Sequence, residues 1–167
     1  DCPSGWFALG DSCFAVALND VDQYDGLTAD AKCGTLEVGA SGHRAHGATP
    51  ASLSQFQSLA TRCVNDGCWL GFFALGPPGD GVYTAPATGE TLSGDAPWGD
   101  AEPSLGGAEI CVKLAVTGDG ATVLEDQPCD SPGYFACELE VSYGSFTTCH
   151  DGAVDIGDVS KVAYMVV

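Results

Sequence analysis

Apolar residues in this chain come in short runs separated by turn-forming residues. The opening CPSGWFALGDSCFAV places two such runs around Gly10-Asp11, which predicts a β-hairpin bracketed by Cys2 and Cys13. Leu27 to Cys33, LTADAKC, carries Ala, Asp and Lys suited to a short helix ending at the cysteine. The Gly-rich stretch from Gly34 to Gly47 predicts an exposed loop. In ATPASLSQFQSLATRCV the pattern turns helical. Leu53, Phe56, Leu59, Ala60 and Cys63 fall on one face, Ser52 and Gln55 form a capping box, and Asn65-Asp66-Gly67 should end the helix. Cys68 to Phe73, CWLGFF, is a continuous apolar run, as in a strand buried on both faces. From Gly76 to Gly107 periodicity disappears among Gly, Pro, Asp and Thr, and loops of that length tend to carry function. Three strand-like segments close the pattern: Ile110 to Val116, Thr122 to Glu125 and Tyr134 to Val141. The first two flank the turn Thr117-Gly118-Asp119-Gly120, and Cys111 and Cys129 are placed to tie the region together. There is no internal repeat and no low-complexity tract.

With 167 residues the chain is long enough for one domain with a real core and a short appendage. Its 23 acids against 5 Lys plus Arg give a formal net charge of −18. Such a surface repels phosphate, so nucleic acid and anionic membranes are poor partners, whereas cations are drawn in. The plain alternative is charge kept for solubility. No stretch approaches the roughly 20 apolar residues of a membrane span. The chain begins Asp1-Cys2 without an initiator Met, which reads as a processed chain or an excised piece. Nine cysteines stand without a CxxC pair, a pattern of disulfides in an oxidising, secreted or cell-surface setting rather than of a zinc ribbon. Eight can pair and one is left over. His43 and His46, in HRAH, have the spacing of a helical metal pair, but a plain loop is the simpler reading.

The order of these features resembles the long form of the C-type lectin-like domain. The resemblance is carried by CPSGWFALGDSCF at the start, by Cys33 ending the first helix and by Trp69-Leu70-Gly71-Phe72, similar to a Trp-Ile-Gly-Leu core motif. It continues with Trp98 ahead of Glu102-Pro103-Ser104, similar to a Glu-Pro-Asn triplet, and with Glu109-Ile110-Cys111-Val112. Leu124-Glu125-Asp126 stands in the place of Trp-Asn-Asp, and Tyr134-Phe135-Ala136-Cys137-Glu138 resembles the closing strand. The resemblance covers most of residues 1–138. It implies an α+β fold with two helices, two small antiparallel sheets and a long loop region, stapled by disulfides. It implies Cys2–Cys13, Cys33–Cys137 and Cys111–Cys129, and leaves Cys63 and Cys68, five apart, for a local bridge. Cys149 is then unpaired: an intermolecular bond, a partner lost by truncation, or a buried free thiol.

In the lectin branch of this family five residues hold a Ca2+ ion whose shell is completed by sugar hydroxyls. Carried over, they are Glu102, Ser104, Glu109, Glu125 and Asp126, with Glu102, Ser104, Glu109 and Glu125 also facing the sugar. Ca2+ takes six to eight oxygens, and carboxylates suit it. Ser104 and Glu125 replace amides, which removes donors that would hold sugar hydroxyls. The Glu-Pro-x form resembles mannose, fucose or glucose binders. The bland reading is a solvated acidic face. Tyr83 and Trp98 are expected to pack the long loop rather than stack on sugar, and Leu124 to be core. Asp80, Asp95 and Asp100 are acids available for further ions in the loop.

Residues 139–167 read as an extension or the start of a neighbouring domain. Asp151 to Asp158 is faintly like the second half of an EF-hand or dockerin loop, with Thr147 and Cys149 where acids are expected. The apolar end, Val159 to Val167, is suited to a protein partner or to self-association. The expected function is an extracellular Ca2+-dependent carbohydrate-binding module, part of a larger protein or assembly. The alternative is a structural or protein-binding lectin-like domain that binds no sugar; an ice-binding relative has no specific support. No Ser or Cys nucleophile has a recognisable His partner, so an enzyme is not expected.

Overall fold

A computed structural model of the chain describes residues 2–16, 26–38, 43–63, 67–77, 79–105 and 109–140. In chain order the elements are β1 Phe7–Leu9, β2 Ser12–Val16, α1 Gly26–Thr35, β3 Glu37–Val38, β4 His43–Arg44 and β5 His46–Gly47. They continue with α2 Leu53–Ala60, β6 Cys68–Ala74, β7 Tyr83–Thr84, β8 Glu109–Val116, β9 Thr122–Pro128 and β10 Tyr134–Glu140.

The expected hairpin forms, with Phe7 opposite Phe14 and Gly10 at φ 64° in its turn, a left-handed conformation that glycine adopts at no steric cost. The second helix starts at Ser52, whose hydroxyl accepts from the Gln55 amide at 3.3 Å. The Gln55 side chain reaches back to the Ala51 amide at 2.8 Å, one residue further than a capping box requires. The helix stops at Ala60, with Thr61 as its cap, ahead of the Asn-Asp-Gly signal. Phe56, Leu59 and Ala60 are buried as expected, but Leu53 is 55 % exposed, because the first helical turn overhangs solvent.

The two antiparallel groups of strands are joined into one mixed sheet. The strands run in the order β1-β2-β10-β6-β8-β9, with β5 on β10 and β7 on β6; β3 and β4 pair separately. The join is β10 itself. Its first residues, Tyr134 and Phe135, lie parallel to Cys68 and Trp69, while Ala136 to Glu140 run antiparallel to β2. One strand thereby belongs to both halves.

Burial on both sides of β6 follows from its alternation. Cys68, Leu70 and Phe72 pack with Phe14, Phe56, Leu59, Val112 and Leu124, on the side of α2. Trp69 and Phe73 pack with Ala29, Cys33, Phe135 and Cys137, on the side of α1. Gly71 is required between them: a Cβ there would sit 2.3 Å from the Gly47 carbonyl oxygen, where β5 crosses. The stretch read as an exposed loop thus ends inside the fold, with Ala45 and Gly47 buried. The HRAH histidines lie on extended β4 and β5, not on a helix. The His46 ring nitrogen Nδ1 lies 2.8 Å from the Gly47 carbonyl, while Nε2 is buried without a hydrogen-bond partner. The helical spacing that a metal pair there requires is therefore not formed.

Among the described residues there are four disulfides: Cys2–Cys13, Cys33–Cys137, Cys63–Cys68 and Cys111–Cys129. These are the bridges that the resemblance and its remaining pair imply. Cys149, the calcium-loop-like stretch and the apolar end lie outside the described residues, and β10 continues to Glu140, two residues past the expected domain end at 138.

Candidate functional site

The long loop leaves β6 at Ala74 and returns at Glu109. It is stitched to the core strands at two places, on β6 and on β9. Tyr83 and Thr84 pair with Ala74 and Phe73, and the Leu92 amide donates to the Tyr83 carbonyl. Trp98 bridges to Leu124 on β9, with the Leu124 amide donating to the Pro97 carbonyl at 2.7 Å and the Gly99 amide to the Leu124 carbonyl at 3.0 Å. The Tyr83 and Trp98 rings lie 5.2 Å apart, with Tyr83 buried, so both pack the loop, and Leu124 is core.

Beyond Trp98 the chain turns back over β9. The Glu102–Pro103 peptide is cis, and Ala101 and Leu105 on either side have φ of 64° and 57°. Non-glycine residues in that region persist where their surroundings hold them. At the Leu105 end the hold is Asp126. Its Oδ1 accepts from the Ser104 amide at 2.7 Å and the Ser104 hydroxyl at 3.2 Å; its Oδ2 accepts from the Leu105 amide at 3.0 Å and the Tyr83 hydroxyl at 2.6 Å. Four protein donors thus converge on one carboxylate. Asp126 is 1 % exposed.

Glu102 joins the same knot. Its Oε2 accepts from the Ser104 amide at 3.1 Å and the Asp126 amide at 3.4 Å. Burial, followed by the hydrogen bond its protonated form makes to Asp126, pushes the Glu102 carboxyl up to about 7. Burial also pushes Asp126 upward, but hydrogen bonds from Glu102, Tyr83 and the Ser104 and Leu105 amides outweigh it and hold Asp126 below the ordinary range. Two acids share one corner, and one retains a proton near neutrality.

A pH dependence follows. Native Glu102 binds its proton up to about 7, whereas the unfolded chain releases it near 4.5. Stability from this proton is full below the unfolded value and is lost as pH rises towards 7. Water at the half-exposed side chain screens the effect, leaving about 1 kcal/mol. Glu102→Gln keeps a donor towards Asp126 at every pH. In EDTA its melting temperature, relative to wild type, should therefore rise by about 3 °C between pH 5 and pH 8. An unchanged difference would contradict the shared proton.

The structure brings Glu102, Ser104 and Asp126 together. It does not bring Glu125 to them. Neighbouring strand residues point to opposite faces, and Leu124 and Asp126 take the inner one. Glu125 stands opposite Lys113 on β8 and accepts from Gln127 at 3.4 Å. Glu109 opens β8 opposite Pro128, and its side chain lies outside what is described. Among the described residues no three His, Cys, Asp or Glu side chains gather as metal ligands. The donors that do converge are all oxygens, which fits a hard cation in kind, but the Asp126 oxygens already hold protein donors.

No protein-family model and no curated protein matches the sequence. Solved structures do. The C-type lectin domain of murine dendritic cell inhibitory receptor 2, in complex with an N-glycan, matches with a TM-score of 0.68 at 17 % identity, over 84 % of this chain and 99 % of that one. The fold is that of a C-type lectin-like domain. The C-type lectin CEL-I from Cucumaria echinata matches with a TM-score of 0.68 at 18 % identity, over 83 % of this chain and 97 % of its own. A calcium-independent type II antifreeze protein matches with a TM-score of 0.64 at 21 % identity, over 83 % and 93 %. The lectin-like fold therefore serves a protein with an N-glycan bound and a calcium-independent one.

Missed in the sequence was Tyr83 as the buried partner of Asp126. A tyrosine in a loop 43 residues from its aspartate carries no local sign of that bond.

Proposed function

We propose that this chain is an extracellular, Ca2+-dependent carbohydrate-binding module of the C-type lectin-like fold, a binding rather than a catalytic domain. Residues 1–138 form the module, and residues 139–167 are an extension towards a neighbouring domain or partner. One observation carries the reading: the cis Glu102–Pro103 turn sets the Glu102 carboxylate and Ser104 against the buried Asp126, where burial and then the neighbouring Asp126 raise Glu102 to about 7. A divalent cation at that corner would neutralise both acids without the proton. Glu102, Ser104 and Asp126 would hold the ion, joined by Glu109 and by Glu125 if its side chain swings across. The ion would offer open positions to a pair of sugar hydroxyls, in a hexose of mannose, fucose or glucose type. Glu102 and Glu125 accept hydrogen bonds from those hydroxyls, and Ser104 can donate one.

A second reading has its own support. Four protein donors converge on Asp126 and Glu125 faces away, an arrangement that orders the loop without an ion. In that reading the domain binds protein and no sugar. A glycan array probed with the full chain in Ca2+ and in EDTA separates the two. The lectin reading expects hexose binding abolished by EDTA and by Glu102→Gln. Absence of glycan binding in Ca2+, with the chain folded, leaves the second reading.

A further inference from the structure

Away from the cis-proline corner, two cavities meet on the side of the fold where α2 begins. One, of about 570 Å3, has Asp11, Glu90, Glu138 and Glu140 in its wall. The other, of about 220 Å3, is walled by Pro50, Phe56, Phe72, Leu92 and Ala96. They share Ala51 and Glu90, and neither is lined by Glu102, Ser104 or Asp126. Among the described residues no lysine, arginine or histidine lines either one.

Glu138 is the deciding group. It is 5 % exposed, at the floor of the acidic cavity. Its Oε2 accepts from the Thr49 amide at 2.7 Å and the Thr49 hydroxyl at 2.8 Å. Oε1 accepts from no donor among the described residues. Oε1 is not sealed from solvent but opens onto the cavity, where its lone pairs can accept from a donor that enters. Three exposed acids ring the opening, so the field there favours a cation.

We propose that this composite cleft binds an arginine side chain presented by a basic peptide segment of a partner protein, with an adjoining apolar side chain in the smaller cavity. The larger cavity is far roomier than a bare ion needs, since Ca2+ draws its oxygens to about 2.3–2.6 Å. A planar guanidinium carries five N–H donors in a fixed fork and meets two carboxylates at once, which suits Glu138 Oε1 with Glu140 or Glu90. The apolar slot beside it gives the ligand an amphipathic shape.

The test titrates acetylated leucyl-arginyl-leucine amide into the 15N-labelled full chain in EDTA, with the citrulline counterpart as the neutral probe. The arginine peptide should shift the amides of Ala51, Glu90 and Glu138 but not Ser104, and the citrulline peptide should bind at least about tenfold more weakly. Glu138→Gln, which keeps an oxygen for Thr49, should weaken binding about tenfold; the surface variants Glu90→Gln and Glu140→Gln should weaken it without disturbing the core. Glu102→Gln should leave it unchanged. Equal binding of both peptides, no binding, or attraction spread over the surface and indifferent to these variants would each overturn the proposal. So would Ca2+ alone producing the same shifts at Glu138, which would make the cleft a metal site.

Discussion

Asp126→Ala is expected to lower stability by about 3–5 kcal/mol, because the buried carboxylate anchors donors from two separate parts of the long loop. Truncation takes away the shared acceptor of the Tyr83 hydroxyl and the Ser104 and Leu105 amides, and with it a contact that holds Leu105 at positive φ. The melting temperature should fall by roughly 10 °C in EDTA, where no ion contributes. Tyr83→Phe, which removes a single donor, should cost only about 1 kcal/mol. If Asp126→Ala cost no more than Tyr83→Phe, the loop would be held by something other than this carboxylate.

Cys33→Ala with Cys137→Ala is expected to be the most damaging disulfide removal. This bridge spans 104 residues, ties α1 to β10, and both sulfurs lie in the core. Loop-closure entropy gives about 4.7 kcal/mol for a loop of that size, against about 2 kcal/mol for the 5-residue span of Cys63–Cys68. Melting of the two double variants under non-reducing conditions should show the first losing about twice as much as the second. Equal losses would mean that the long bridge does not constrain the unfolded chain.

Features set by neighbours in the chain were legible in advance. The hairpin around Gly10, the Ser52 start of α2 and the doubly buried β6 rest on local periodicity and turn chemistry, and all three form. Features that depend on distant pairing were not. The run from Tyr134 reads as a strand, yet nothing in it tells that its first two residues will lie parallel to Cys68 and Trp69 and so join the sheets.

The site divides in the same way. Trp98, Glu102 and Asp126 stood out through the order of motifs, and the cis Glu102–Pro103 turn does bring Glu102 and Ser104 to Asp126. Glu125 is the instructive exception. Ending the second-last strand at Glu125 hid a consequence of strand geometry, for β9 runs on to Pro128. Glu125 and Asp126, adjacent within it, therefore face opposite ways.

The central claim is that the Glu102–Asp126 corner is a cation site. Titrating Ca2+ into the full chain at pH 8 by isothermal calorimetry, for wild type and Glu102→Gln side by side, tests it most directly. The account predicts saturable binding in the wild type that weakens at least about tenfold when Glu102 loses its charge. Binding that is equal in both proteins, or absent from the wild type, would contradict it.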